Sequence, residues 1–218
     1  MNLSPARLAL IAAALTSIVL MAPAGCATSS SQSVKRSEKA VDSLADFRKQ
    51  LTSANAQLDK TVAALDALVA DTGDREAALA AYSKELVALG KQGDEARKRS
   101  ESLQARGREY LAKWEQEVSE VSSPELKAQS EARRANAQQR MDEIRVRAEV
   151  AANAYRPLLS DLTDIEKVLA TDLSAANIQG VAPVAARARK DAGLLKTTID
   201  EFIAVIDQVM SGLGPQSG

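Results

Sequence analysis

The chain reads as an all-α protein, an elongated antiparallel bundle or coiled coil of about four helices. Three observations carry that reading. Ala, Leu, Glu, Lys, Arg and Gln dominate, while 218 residues contain only 10 glycines, 6 prolines and 3% aromatics; these are the strongest helix formers. Apolar residues recur at three-four and seven-residue spacing over long stretches, the mark of a helix that buries one stripe. Stop-and-start signals fall at only three places after the N-terminal region, and no stretch has the alternation of a strand.

The first helix carries Leu44, Leu51, Leu58 and Leu65 seven apart, with Val41, Val62 and Val69 as a companion seam. Arg48 and Asn55 interrupt that seam; a functional polar layer is one reading, and register setting, the commoner use of such residues in coiled coils, is favoured. Thr72-Gly73-Asp74 ends it: Gly73 suits a left-handed C-terminal position and Asp74 caps the next helix. The second helix is expected from about Arg75 to Val121. Its seam runs from Leu79 and Tyr82 through Leu86, Leu89, Gly93, Ala96, Ser100, Leu103 and Gly107 to Tyr110, Trp114 and Val121. The middle of that seam is small, which allows close helix approach or leaves room for a large side chain from opposite. A binding protein, unlike a scaffold, should show a pocket between the helices at that place, where Gly93, Ala96, Ser100 and Gly107 thin the seam.

Ser123 and Pro124 suit an N-cap and the first helical position. The third helix is expected from about Glu125 to Leu173, with Pro157 inside it as a predicted kink. Ser174 to Gly180 reads as a break. A fourth helix then carries Val181, Ala185, Ala188, Ala192, Leu195, Ile199, Phe202, Ile206 and Val209. Helices two and three would each be roughly 70 Å long. The short connections require antiparallel neighbours.

The N-terminal region is different. Arg7 is followed by an uncharged apolar run from Leu8 to Met21 and then by Ala22-Pro23-Ala24-Gly25-Cys26. This is a secretory signal with a small-residue cleavage site. The run of about 14 residues is short of the roughly 20 that span a bilayer. Cys26 is the only cysteine. Cleavage before it would free a thiol that accepts a diacylglycerol, as in bacterial lipoproteins. Cleavage after Ala24 at the A-x-A pattern would instead leave an exported free thiol, a chemical liability. Ala27 follows the cysteine where aspartate would signal inner-membrane retention, so lipoproteins in general point to the outer membrane, facing the periplasm. The expected organisation is a signal peptide over 1–25, a Ser/Thr-rich tether over 26–33, a helical domain over 34–211 and a disordered tail over 212–218.

Trp114-Glu115-x-Glu117, then Ser122-Ser123-x-x-Leu126 and an Arg-rich helix, resemble the bacterial lipoproteins grouped as domain of unknown function 2959. Pro157-Leu158-Leu159, Asp161, Leu169 and Asn177 resemble that family's proline-bearing helix and the asparagine-marked turn after it. The similarity covers nearly all of the mature chain. It implies a helical fold and an envelope location, and it implies no activity.

The chain has no histidine. With Cys26 lipidated, Ser-His and Cys-His nucleophilic sites and ordinary zinc sites are excluded. No glycine-rich phosphate loop occurs, and no cofactor is expected. Acidic pairs such as Glu115/Glu117 and Asp142/Glu143 are of the kind that crowd solvated helix faces. Tyr82, Tyr110 and Trp114 could form a sugar-binding surface, but they fall on the seam, where core packing is favoured. The net charge is −1, and removing Arg7 with the signal leaves about two negative charges, which argues against nucleic acid.

The one strong charge feature is basic. Arg97, Arg99, Arg106 and Arg108 lie on helix two, and Arg140, Arg145 and Arg147 on helix three. Folding about Ser123 sets 97–108 beside roughly 138–149, a candidate anion-binding band for phosphates of an anionic lipid or a cell-wall ligand. The competing reading is a solvated surface neutralised by Glu95, Glu101, Asp142, Glu143 and Glu149 through i,i+4 pairs. Taken together, the sequence favours a non-enzymatic envelope lipoprotein that acts as a scaffold or interaction module, with protein partners or self-association. A binding protein that uses the basic band is the alternative.

Overall fold

The computed structural model describes residues 26–70 and 73–213. Four helices account for nearly all of them: α1 (Cys26–Val69), α2 (Arg75–Ser119), α3 (Pro124–Thr171) and α4 (Ala175–Leu213). Among the described residues there is no strand. The chain divides into a unit of residues 1–35 and a second of 36–218. The second is the all-α bundle, and its connections are so short that consecutive helices must run antiparallel.

The breaks follow from local chemistry. Asp74 caps α2, its Oδ1 accepting from the Ala77 amide at 3.1 Å. Ser123 caps α3 and Pro124 takes the first turn, where its missing N–H costs nothing. Gly73 has open space around it, with nothing within 4 Å of an added Cβ. The expected break over Ser174 to Gly180 is corrected. Asp172, Ser174 and Asn177 build a cap instead: Ser174 Oγ accepts from the Asn177 amide at 3.3 Å, and Asn177 Nδ2 donates to Asp172 Oδ2 at 2.8 Å. That cap starts α4 at Ala175, so Gly180 and Pro183 fall inside the helix. Residues 26–33, expected as a tether, form the start of α1. They contain neither glycine nor proline, so nothing interrupts the helix. The last two residues of α4 fall in the stretch expected to be disordered, and 214–218 lie outside the described residues.

Leu44, Leu51, Leu58 and Leu65 are all buried, as their heptad spacing requires. Their companions are Phe47, Ala54, Thr61 and Leu68 rather than Val41, Val62 and Val69, which are half-buried. Phe47 meets Phe202 of α4 edge to face, ring centroids 5.4 Å apart. On α3, Ile144, Leu158, Leu162, Ile165 and Leu169 are almost wholly inaccessible. Helix α3 continues past Pro157, which sits on the exposed side, where the carbonyl freed four residues earlier meets solvent.

Polar pairs fix the order of the helices. Arg48 bonds Asp207 at 2.6 Å and Asn55 bonds Asp200 at 2.7 Å, while Lys196 pairs with Asp59 and Arg189 with Asp66. Each step up α1 is matched by an equal step down α4, so the four pairs form one antiparallel ladder. Gln50–Gln92 and Gln57–Glu85 join α1 to α2. Arg187–Asp161 and Arg147–Glu201 join α3 to α4. Around the bundle the order is therefore α1, α2, α3, α4, with α4 back against α1.

Candidate functional site

The small seam of α2 is the first place where a ligand site could form, and it is filled. Tyr155 of α3 lies across Gly93; a Cβ added there would stand 2.5 Å from the tyrosine Cζ. Met141 covers Gly107 in the same way, with Sδ 3.0 Å from an added Cβ. The Tyr155 hydroxyl donates to the Leu89 carbonyl at 3.1 Å, and Tyr82 donates to the Leu162 carbonyl at 2.8 Å. Burial raises both phenols, with Asp94 adding to the effect at Tyr155, which reaches about 12, and Glu166 adding to it at Tyr82. Both tyrosines are neutral donors at any ordinary pH.

The aromatic seam splits towards the α2–α3 turn. Tyr82 is fully buried, but Tyr110 is 39% exposed and Trp114 half-buried. Their rings meet edge to face at 5.6 Å, and Trp114 Nε1 donates to Ser130 Oγ at 2.9 Å. Leu111 and Val118 take the buried positions in that part of α2. Core packing thus holds for Tyr82 and not for Tyr110.

The seven arginines of the expected band are brought into register but not onto one face. Gly107 opposite Met141 sets 97–108 beside roughly 140–151. Arg97 pairs with Glu101 at 2.8 Å, and Arg145 with Glu149 at 2.8 Å and Asp142 at 3.6 Å, within their own helices. Arg147 crosses to Glu201 of α4 at 2.8 Å. Arg140 lies over Gly212, with Cζ 2.8 Å from where a Cβ would stand. That puts its charge at the C-terminal end of α4, the negative end of the helix dipole. Arg106 faces the other way and donates to Ser43 Oγ of α1 at 3.2 Å. Arg99 and Arg106 therefore line the α1–α2 groove, and Arg140 and Arg147 the α3–α4 groove, on opposite flanks. Arg108 is exposed and makes no ion pair among the described residues.

Two shallow clefts accompany these side chains. One of about 310 Å³ lies between α3 and α4 beside Asn136, Arg140, Glu143 and Gln208. The other, about 140 Å³, lies between α1 and α2 beside Ser43, Asp46, Arg99, Ser102 and Arg106. Among the described residues, no group of Cys, Asp and Glu side chains gathers as a metal site would. No described helix is long and apolar enough to cross a membrane. The expected signal, 1–25, lies outside the described residues, and Cys26 opens α1.

Sequence reasoning missed the α1–α4 ladder, although a signal for it was present. The spacing of positions 48, 55, 59 and 66 recurs, reversed and mostly with opposite charge, at 207, 200, 196 and 189. Asn55 is 8% exposed, and its Oδ1 has no hydrogen-bond partner among the described residues. It is a polar layer that costs stability, as register-setting residues do.

Fold and grooves define an all-α antiparallel four-helix bundle with charged flanks and a filled seam. A family model described as "Protein of unknown function (DUF2959)" matches residues 27–213, and the chain belongs to that family. No curated protein and no solved structure matches it.

Proposed function

We propose that the chain is a non-enzymatic cell-envelope lipoprotein that serves as a scaffold or protein-interaction module. In this reading Cys26 carries the diacylglycerol anchor and the outer membrane holds the protein facing the periplasm. The bundle presents long helical faces to protein partners or to a second copy. The observation that carries the reading is the filled seam: Tyr155 over Gly93 and Met141 over Gly107 occupy the space an internal ligand would need. What the bundle offers is its outside. Exposed Val87 and Leu194, each 57% accessible, are contact points of that kind on α2 and α4.

The experiment joins anchor to role. Wild type and Cys26→Ser are expressed in cells fed labelled palmitate, then fractionated and purified with whatever accompanies them. Wild type should carry label, sediment with membranes and bring down the same proteins, or itself, repeatedly. Cys26→Ser should lose the label and leave the precursor uncut, because only the thiol accepts the lipid. A mature wild-type protein that begins at Gly25 with a free thiol overturns the anchor. A wild-type protein recovered alone overturns the scaffold.

A further inference from the structure

The α1–α2 cleft has a charge arrangement that the bundle does not need. Its floor is Phe47 and Leu103, 2% and 8% exposed. From α2, Arg99, Ser102 and Arg106 rise along one side; from α1, Ser43 and Asp46 face them. Arg99 and Arg106 are seven residues apart, two turns on one face, with roughly 10 Å between their backbones. Their long side chains can close on one group between them.

Arg97, Arg145 and Arg147 each have a carboxylate at 2.8 Å. Arg99 has no hydrogen bond or ion pair among the described residues, and Arg106 has only the Ser43 hydroxyl. Arg108 and Arg140 also lack a carboxylate partner among the described residues, but Arg99 and Arg106 share one cleft. Asp46, in the same cleft, also has no partner among them. Two forked guanidinium donors and the Ser102 hydroxyl form a donor set for phosphate oxygens; the Ser43 hydroxyl already donates to the Lys39 carbonyl at 2.9 Å and serves to hold Arg106. Asp46 opposes a bare anion, since a carboxylate repels phosphate or sulfate. It favours a ligand that carries its own cation a short distance from its phosphate.

We propose that this cleft binds a phosphoethanolamine group, with the phosphate between Arg99 and Arg106 and the ammonium on Asp46. A volume of about 140 Å³ suits a group of so few atoms. The open side of the cleft leaves room for the ester's remainder, whether a lipid or a soluble alcohol. The scaffold reading stands or falls separately, since it needs no ligand here.

The test is calorimetric titration of the full chain in detergent with phosphoethanolamine, inorganic phosphate and ethanolamine. Phosphoethanolamine should bind at least tenfold more tightly than either fragment. Arg99→Gln and Arg106→Gln should each weaken it at least tenfold while leaving the helical circular dichroism intact, because Gln keeps helix propensity. Arg99→Lys, which keeps the charge and loses the fork, should fall between wild type and Arg99→Gln. Asp46→Asn should reverse the preference, weakening phosphoethanolamine and strengthening inorganic phosphate. Arg133→Gln, outside the cleft, should match wild type. Vesicles of phosphatidylcholine with and without phosphatidylethanolamine separate the sources. Retention that depends on phosphatidylethanolamine and on Arg99 assigns a lipid surface; binding of the free group without retention assigns a soluble ester. No binding of phosphoethanolamine by wild type, equal affinity for inorganic phosphate, or an Asp46→Asn protein with unchanged preference would overturn the proposal.

Discussion

Tyr155 fills the space beside Gly93, and its hydroxyl reaches the Leu89 carbonyl one turn away on the same helix as the glycine. The arrangement is reciprocal. Tyr82 sends its hydroxyl from α2 to Leu162 of α3, and tyrosine and acceptor lie seven positions apart on each helix. The α2–α3 pair is thus clasped twice, once from each side, and the glycine is what admits one clasp.

Two glycines of α2 should therefore answer the same substitution with opposite signs. Gly93→Ala gains helix propensity but drives Cβ into the Tyr155 ring, so it should lose about 1–2 kcal/mol net, within the usual range for overpacking. Gly90 has nothing within 4 Å of an added Cβ. Gly90→Ala should gain about 0.5–1 kcal/mol from propensity alone. Urea denaturation of the two variants decides. Equal effects would mean that Tyr155 does not hold this position.

The tyrosines also set an alkaline limit. Burial raises both above the ordinary tyrosine value of about 10. A group whose folded pKa is raised contributes fully below its unfolded pKa and loses that contribution as pH rises towards the folded one. The urea midpoint should hold up to about pH 10 and fall between about 10 and 12. Tyr82→Phe with Tyr155→Phe should start lower at neutral pH by about 0.5–1.5 kcal/mol per lost hydrogen bond and show a flatter alkaline limb. An identical alkaline slope in the double variant would contradict the assignment.

The α1–α4 ladder predicts pairwise coupling. Asp66→Arg puts like charges opposite each other at Arg189, and Arg189→Asp does the same at Asp66. Each single change should cost up to about 1 kcal/mol, and the double swap should recover most of it, because the pairs are largely exposed. A double-mutant cycle at low and high salt measures this, with coupling shrinking as salt rises. Additive losses would mean that the pair is not formed.

Much of this architecture is legible in the sequence where chemistry is local. The leucines at 44, 51, 58 and 65, the Asp74 cap and the Ser123-Pro124 start need only neighbours in the chain. Position 111 shows where periodicity drifts. A helix turns every 3.6 residues while a strict heptad assumes 3.5, so over a long α2 the buried stripe moves from the Tyr110–Trp114 line to Leu111 and Val118. The start of α4 is hidden because Gly180 is a louder signal in sequence than the Asp172–Ser174–Asn177 cap that overrides it. The basic band is legible in register and not in facing. Helix-to-helix register follows from a short turn, whereas the groove an arginine enters depends on the flanking helices. Those helices draw Arg106 towards Ser43 and Arg147 towards Glu201.

The scaffold reading is tested most directly in living cells. A photo-crosslinking residue placed singly at Val87, Leu194 and, as an interior control, Leu65 reports what touches each position. The account predicts discrete protein adducts, or adducts of the chain with itself, at Val87 or Leu194. It predicts none at Leu65, which is fully buried, and loss of the outer adducts in Cys26→Ser, which would lack the proposed anchor. Adducts confined to small molecules, or outer faces that capture nothing while the anchored protein is folded, would contradict it.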